Sequence, residues 1–460
     1  MTHGASTADV NTAQFTWRET SAMAPKMERF VSPGKGNGVR ATARIRRGEL
    51  VYSADPLASC VSNKQAREVC HRCFTRRETL LRCSQCKTAR YCNTSCQKQA
   101  WSSHKRECKC LRSLLPRIPT DSVRLAARIV FTSLNPSPSS SEELYPLEEH
   151  ESHLSSMSEH KKQGLSQLAS MLELYLQPEV LHLTQETISA LPPSCQEPLS
   201  LIAKVTCNCF TISDGELQEV GVGLYPSLSL LNHNCRPNCV MVFEGTNLRL
   251  RAVQDIDAGE ELTISYIETL TSTDNRQKQL EEQYHFICHC QRCDSQDKDG
   301  LMLSGKESAW RLLKEALPEL EKLKVESNWE ALLQSCTHLL TTAGGDVPDE
   351  NLYKLRLTDM ALDASVQLGL WEEALRYGQK TLPVYRQYYP DPHPVHGVQL
   401  MRVGKLQHYL EHLQEAQDTF KQAFQIIKIT HGDSHPLTTD LSMKMEECRA
   451  EMAQRSSSGH

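Results

Sequence analysis

Apolar residues alternate with polar ones in two separate stretches of the chain. Residues 28–57 contain VRATARI and ELVYS between Gly-rich turns, and residues 220–268 contain CVMVFEG, LRLRAVQ and EELTISY. This period of two predicts short β-strands. Between the two stretches, residues 121–132 and 159–175 read as helices, the first with Asp121 as its N-cap. One β domain interrupted by an insertion is the simpler interpretation, and two separate β domains are the alternative.

Beyond about residue 305 the pattern becomes helical and weakly repetitive. Segments that begin near Trp329, Trp371 and Leu413 align, and they place alanines at positions 331, 374 and 416, which are 43 and 42 residues apart. The dipeptide His393-Pro394 recurs 42 residues later. Helix pairs at this period are typical of an array that resembles tetratricopeptide (TPR) repeats, and an ordinary helical bundle is the alternative.

Composition and charge describe a folded multidomain protein with one unusual module. The chain has 460 residues, of which 39% are hydrophobic, and a formal net charge of −5. Residues 61–120 nevertheless hold 14 Lys and Arg against 3 Asp and Glu. This basic module could face nucleic acid, an acidic partner or only solvent, because charge alone does not select a partner. The first 25 residues contain no apolar secretory segment, and no apolar run approaches the roughly 18 residues of a membrane span, so we expect no membrane association.

Cysteine is unusually frequent, with 19 residues. Residues 70–108 contain two C-x2-C pairs, a C-x3-C pair and an H-x3-C pair. These pairs supply eight ligands, enough for two tetrahedral zinc ions. The order of the pairs predicts a cross-brace. One ion would be held by Cys70, Cys73, Cys92 and Cys96. The other would be held by Cys83, Cys86, His104 and Cys108. Both ions would be structural, because protein ligands fill all four positions.

A second group of cysteines lies at Cys288, Cys290 and Cys293, and it lacks a fourth ligand nearby in sequence. Cys235 lies far away, in a turn rich in Pro and Asn. If the fold joins these four thiols, they form a third structural zinc site and bring the total to three ions per chain. The other eight cysteines show no metal spacing. We expect them to be reduced and mostly buried, which favours the cytoplasm or the nucleus.

The finger spacing, together with RYC, CQKQAW and HKREC, resembles a MYND zinc finger. The motifs GNG at 36–38, NHNCRPN at 232–238, GEELTISY at 259–266 and CHCQRC at 288–293 resemble, in this order, a SET lysine methyltransferase domain. A MYND finger within a SET domain defines the SMYD family, which the chain resembles over about residues 25–450. The resemblance implies an α+β multidomain fold. In it, a β-rich SET fold is interrupted by a MYND zinc finger and a helical insertion, and is followed by a post-SET zinc site and an all-α TPR-like C-terminal domain.

Domain boundaries follow from the pattern and from this resemblance. We expect a disordered tail at 1–24, the N-terminal part of the SET domain at 25–69 and the zinc finger at 70–108. The helical insertion would occupy 109–199, the SET core 200–268, the post-SET zinc region 269–299 and the TPR-like domain 300–460.

Roles for single residues are also implied by the resemblance. Tyr266 would be the catalytic tyrosine, and the channel for the substrate lysine would be lined by Phe210, Tyr284 and Phe286. S-adenosyl-L-methionine would be bound by Lys35, Gly36, Asn37, Tyr145, His153, Asn208, Asn232, His233, Tyr266 and Phe286. Three positions depart from the family's pattern: Lys35 replaces Arg, His153 replaces Asn and Asn234 replaces Ser. Lysine keeps the charge of arginine but lacks its planar fork.

The activity that the resemblance implies is methyl transfer from S-adenosyl-L-methionine to lysine side chains of histone tails and other proteins, with a role in transcription or signalling. Proline-rich peptides, a heat-shock chaperone and DNA are further implied partners, and we expect a monomer. Two alternatives stay open. One is a non-catalytic adaptor that uses the finger and the helical array, and the other is a DNA-binding regulator that uses the basic module.

Overall fold

The computed structural model describes residues 26–135, 144–343 and 345–458, so the predicted tail at 1–24 lies outside the described residues. In these ranges the strands are β1 (Met27–Ser32), β2 (Gly36–Ala41), β3 (Leu50–Ala54), β4 (Ala58–Val61), β5 (Leu81–Arg82), β6 (Arg90–Tyr91), β7 (Phe210–Ser213), β8 (Glu219–Leu224), β9 (Asn232–His233), β10 (Cys239–Glu244), β11 (Asn247–Ala252) and β12 (Thr263–Ile264).

The helices of the first 300 residues are α1 (Thr94–Leu114), α2 (Asp121–Ser133), α3 (Glu159–Val180), α4 (Gln185–Ser189), α5 (Pro193–Gln196), α6 (Pro198–Asn208), α7 (Thr273–Tyr284), α8 (Gln291–Asp294) and α9 (Asp299–Met302). The later helices are α10 (Glu307–Val325), α11 (Trp329–Thr342), α12 (Leu352–Gln367), α13 (Trp371–Tyr388), α14 (Pro394–Tyr409), α15 (Leu413–Thr430) and α16 (Pro436–Ser458).

Strands from the two sides of the insertion pair with each other. β3 lies beside β11 in a sheet of order β10-β11-β3, and β4 lies beside β8 in a sheet of order β4-β8-β7. β9 and β12 pair in parallel and place Asn232 opposite Thr263. One buried core contains side chains from both sides, such as Val39, Leu228 and Leu250. The prediction of one interrupted β domain is confirmed, and the alternative of two β domains is wrong.

The zinc finger and the helical insertion share a second core. Helix α1 begins inside the finger and packs against α2 and α3, so that Tyr91 of the finger is buried with Leu125 and Tyr175 of the insertion. The predicted helix at 121–132 is α2, but its N-cap is Thr120 rather than Asp121. The Asp121 carboxylate instead accepts hydrogen bonds from the Ser62 hydroxyl (2.9 Å) and the Asn63 amide (2.8 Å), just after β4.

Helices α10 to α16 form an array in which each helix packs on the next one in sequence. Ala374 and Ala416, which the repeat aligns, are both fully buried at helix contacts. The predicted helical C-terminal domain is therefore confirmed. Within the part of the chain that the structure describes, no helix reaches the combination of length and hydropathy that would let it traverse a bilayer.

The array contacts the SET core at several places, two of which are hydrogen bonds near α13 and α16. Near α13, the Tyr389 hydroxyl donates to Glu268 (3.0 Å), two residues beyond Tyr266. Near α16, the His435 ring nitrogen Nε2 donates to the carbonyl of Phe243 in β10 (3.0 Å). The array thus reaches the segment that carries the predicted catalytic tyrosine.

Candidate active site and zinc centres

The finger brings its eight predicted ligands together in the predicted cross-brace. The ligand atoms within each group of four lie within 4.8 Å of one another. Distances between ligand atoms are 3.5 Å for Cys73–Cys92, 3.8 Å for Cys83–Cys108 and 3.6 Å for Cys86–His104. Four thiolates at about 2.3 Å from a tetrahedral zinc ion are about 3.8 Å apart. Both groups therefore fit a structural zinc ion.

A buried ion cluster supports the second of these groups. Glu107 faces the Nδ1 atom of His104 at 3.6 Å, and it accepts hydrogen bonds from Arg124 (3.0 and 3.1 Å) and Arg128 (2.7 Å). Burial acts to raise the pKa of Glu107, but the two guanidinium groups outweigh it and hold that pKa well below its usual range. A carboxylate behind a ligating histidine fixes the ring and its tautomer. The same cluster ties α1 to α2 and so docks the finger on the insertion.

The third group joins residues that are far apart in sequence. Cys235 lies after β9 and meets Cys293 of α8 at 3.5 Å, with Cys288 and Cys290 completing four thiols within 4.8 Å. The fully buried Arg276 donates to Cys293 (3.7 Å), to the carbonyl of Thr271 (2.6 Å) and to a threonine hydroxyl at position 273 (2.8 Å). A zinc ion with four thiolates carries a net charge of −2, which one guanidinium partly offsets. This group also fits a structural zinc ion.

His233 connects this thiol group to Tyr266. Its Nδ1 atom accepts a hydrogen bond from the backbone amide of Tyr266 (3.0 Å), so Nε2 carries the proton and points at the Sγ atom of Cys235 (3.2 Å). Burial lowers the pKa of His233 to about 4, which keeps the ring neutral at physiological pH. Both ring nitrogens are engaged by the protein. The predicted contact of His233 with a cofactor stays a prediction, and it would have to come from the backbone.

Aromatic rings surround the Tyr266 side chain. The Tyr266 ring lies 4.8 Å from Tyr284 and 6.3 Å from Phe286, and its hydroxyl donates to the carbonyl of Leu231. Burial raises the pKa of Tyr266 above its ordinary value and that of Tyr284 to about 12. Phe210 packs on Tyr225 (5.7 Å) in the core that also receives Tyr266. Two predicted channel residues, Tyr284 and Phe286, therefore lie beside the predicted catalytic tyrosine, and Phe210 packs on the same core.

The glycine-rich loop contacts Asn232, the residue directly before His233. Gly36 has a left-handed backbone (φ +79°), and a Cβ atom on Gly38 would come within 2.8 Å of Asn232 Nδ2. That amide donates to the carbonyl of Asn37 (3.1 Å) and to Glu261 (2.8 Å), which also accepts from Lys35 (3.0 Å). A cationic and an amide side chain beside exposed loop backbone suit the amino-acid end of S-adenosyl-L-methionine.

The remaining predicted cofactor residues are Tyr145 and His153 of the insertion and Asn208, at the start of the SET core. Asn208 donates to the carbonyl of Glu151 (2.9 Å), and the buried Tyr145 stacks on His150 with ring centroids 4.3 Å apart. The ring of His153, where the family's pattern has Asn, lies against His285 at 4.8 Å. Tyr145 and Glu261 both act to raise the pKa of Tyr266, and Tyr145 belongs to the core on which Tyr266 packs.

Sequence reasoning missed three residues of this site: Glu151, Glu261 and Arg276. Glu261 belongs to the quoted GEELTISY motif but received no role, and Arg276 has no local motif at all. The eight cysteines without metal spacing are all free in the described residues, and only Cys207 and Cys209 are partly exposed.

Comparison with known proteins matches this architecture. A SET domain profile covers residues 36–267. The chain is 47% identical to histone-lysine N-methyltransferase SMYD3 of Homo sapiens, over 92% of this chain and 98% of that protein. It is 32% identical to N-lysine methyltransferase SMYD2 of Gallus gallus, over 92% of this chain and 97% of that protein. Histone-lysine N-methyltransferase Smyd1 of Mus musculus is also 32% identical, over 91% of this chain and 89% of its own length.

Among solved structures, the SET domain of LSMT bound to lysine and AdoHcy aligns with 94% of this chain and 88% of its own, at a TM-score of 0.30 and 14% identity. A likeness at that level supports no conclusion about this chain. The sequence identity over nearly full length, the SET domain and the three thiol-rich clusters do, and they show that the chain belongs to the SMYD family.

Proposed function

We propose that this protein is a protein-lysine N-methyltransferase that uses S-adenosyl-L-methionine as methyl donor. The observation that carries the proposal is the ring cluster of Tyr266, Tyr284 and Phe286 beside the loop braced by Lys35 and Asn232. A lysine side chain is a long apolar stem with an amine at its end, and aromatic walls suit that stem. The names of the relatives, which are lysine methyltransferases, support the same activity.

S-adenosyl-L-methionine supplies, when bound, a methyl group on a positively charged sulfur. The substrate amine must be neutral to attack, although a free lysine has a pKa of about 10.4. Burial between the rings of Tyr284 and Phe286 disfavours the ammonium form and so lowers the pKa of that lysine. The raised pKa of Tyr266 keeps its hydroxyl protonated, so it is not the base. Its hydrogen goes to the Leu231 carbonyl, which leaves the hydroxyl oxygen to accept a hydrogen bond from an N–H of the substrate amine and orient it. The proton leaves to water, and alignment of the reacting groups supplies much of the acceleration.

Replacement of Tyr266 by Phe tests this assignment. The variant keeps the ring but removes the hydroxyl, and loss of one positioned hydrogen-bonding group costs about 100-fold or more in turnover. Methyl transfer from labelled cofactor to a histone mixture is the measurement. Tyr409→Phe is the matched control, because that side chain lies in the array and is 65% exposed. Turnover by Tyr266→Phe at the wild-type rate would contradict the role of Tyr266. A wild-type protein without any turnover would favour the adaptor alternative.

The substrate proposal follows the relatives' names and covers lysines of histone tails and of other proteins. Mass spectrometry of histones and of cell lysate, after incubation with the protein and the cofactor, would identify the modified lysines. Proline-rich peptides, a heat-shock chaperone and DNA stay predictions as partners. The monomeric state and the location in cytoplasm and nucleus also stay predictions.

A further inference from the structure

Glu261 contacts two of the predicted cofactor-binding residues but has no role in the reaction as proposed. Its Oε2 atom accepts from the Lys35 ammonium at 3.0 Å, and its Oε1 atom accepts from the Asn232 amide at 2.8 Å. The nearby Ser32 hydroxyl also acts to lower the pKa of this carboxylate. One carboxylate thus holds the ends of two side chains, one from the loop and one from β9.

The carboxylate is held in place by the backbone around it. Glu261 pairs with Arg40 in an antiparallel bridge, and the next amide, that of Leu262, donates to the carbonyl of Val39 (2.8 Å). The absence of a side chain at Gly38 lets Glu261 and Asn232 approach the strand, since a Cβ atom there would lie 3.0 Å from Oε1 of Glu261. Burial acts to raise the pKa of Glu261, but the hydrogen bonds from Asn232 and Lys35 and the nearby Ser32 hydroxyl outweigh it and lower the pKa. The group is therefore an anion at neutral pH.

These contacts orient the two groups that a zwitterion would meet. Asn232 uses its two amide hydrogens on Asn37 and Glu261, which leaves its Oδ1 atom as an acceptor for an ammonium group. Lys35 has three ammonium hydrogens, of which the contact with Glu261 uses one, so the others remain available to a carboxylate. An acceptor and a cation at fixed places match the ammonium and the carboxylate of an α-amino acid.

We propose that Glu261 is a positioning residue that makes the site select the zwitterionic amino-acid end of the cofactor, by holding the Lys35 ammonium and the Asn232 amide. This inference rests on the proposed use of S-adenosyl-L-methionine. The Lys35 side chain is 42% exposed and Glu261 is 21% exposed. An ion pair this close to solvent adds little to folding stability. Loss of the pair should therefore change ligand affinity and leave the fold intact.

The test compares two ligands on the full-length protein by isothermal titration calorimetry. S-adenosylhomocysteine carries the amino-acid end, whereas 5′-methylthioadenosine lacks it. We expect Glu261→Gln to bind S-adenosylhomocysteine about 10-fold or more weakly, the loss typical of one charged hydrogen bond, with unchanged affinity for 5′-methylthioadenosine. Glu260→Gln is the matched control, because this neighbouring side chain is exposed and its Oε2 atom accepts from the amide of Asp257 (3.1 Å).

A second variant changes the cationic partner of the ion pair between Lys35 and Glu261. Lys35→Met should show the same ligand-selective loss, and adding Glu261→Gln to it should cost less than the product of the two single effects. Equal losses for both ligands, or wild-type affinities in both single variants, would overturn the role of Glu261. If the wild-type protein binds neither ligand, the proposed function fails, and the inference fails with it. Lys35→Met also keeps the test open should Glu261→Gln not fold.

Discussion

The zinc finger and the post-SET cluster use the same chemistry but are assembled in different ways. All eight finger ligands lie within residues 70–108, and short pair spacings bring them together. The post-SET cluster instead joins Cys235 to Cys293, 58 positions later, and it forms only when β9 and α8 are both in place. The finger is thus held by ligands that are close in sequence, whereas the post-SET cluster links segments that only the tertiary structure brings together.

Their surroundings differ in the same way. Behind the finger ligand His104 lies Glu107, whose arginine partners lead away to α2 and dock the finger. Behind Cys235 lies His233, which accepts from the amide of Tyr266, the predicted catalytic residue. Loss of zinc should therefore have different effects at the two places. It should lower the stability of the protein at the finger and disturb the geometry of the active site at the post-SET cluster.

The largest expected effect separates the two kinds of site by activity. Cys290→Ser removes a thiolate of the post-SET cluster, and we expect the variant to lose one zinc ion. Its methyl transfer rate should fall at least about 100-fold, because Tyr266 then loses the support that it receives through His233. Cys92→Ser is the matched finger variant, because both thiols are partly exposed. It should also lose one zinc ion but keep most of its activity. Elemental analysis measures the zinc content and a labelled-cofactor assay measures the activity of each variant. Equal losses of activity in the two variants would contradict the difference between the finger and the post-SET cluster.

The second prediction concerns how the finger is docked. Arg124 is fully buried and donates two hydrogen bonds to Glu107. Arg124→Met leaves the Glu107 carboxylate without this partner, which should lower the free energy of unfolding by about 3–5 kcal/mol. Arg112→Met, on the exposed side of α1, should cost less than about 0.5 kcal/mol. Denaturant unfolding measures both, while the activity of the folded fraction should stay at the wild-type level. Similar stabilities for the two variants would show that the Glu107 cluster does not dock the finger.

The two regions also differ in how much the sequence reveals. The spacing and the order of the pairs predicted the two groups of four finger ligands that the structure brings together, since a C-x2-C turn presents both thiolates to one ion. The fourth ligand of the post-SET cluster depended on the fold. Ion-pair partners were not predictable, since Lys35 and Glu261 are 226 positions apart. Asp121 shows the same limit: its position suggested an N-cap, but a segment 58 residues earlier takes its carboxylate.

A third prediction tests the connection between the post-SET cluster and Tyr266. His233→Phe keeps an aromatic ring in this buried place but removes the acceptor for the Tyr266 amide and the donor to Cys235. We expect methyl transfer to fall about 10- to 100-fold, the usual cost of losing a hydrogen bond behind a metal ligand. Zinc content at saturating metal should stay at three ions per chain. Wild-type turnover in this variant would show that the histidine does not transmit the order of the cluster to the active site.

The smallest expected effect concerns Arg276, which donates to Cys293 of the post-SET cluster. Arg276→Lys keeps the positive charge but loses the fork that bonds Thr271 and Cys293 together, so the cluster should release its zinc up to about 10-fold faster to a chelator. The two finger ions serve as internal controls, because they belong to the same molecule and should leave at unchanged rates. A chelator that reports released zinc by absorbance would resolve one faster ion beside two unaltered ones. Three unchanged release rates would mean that the charge of residue 276 is sufficient, and that the geometry of its hydrogen bonds adds nothing to the retention of the post-SET zinc ion.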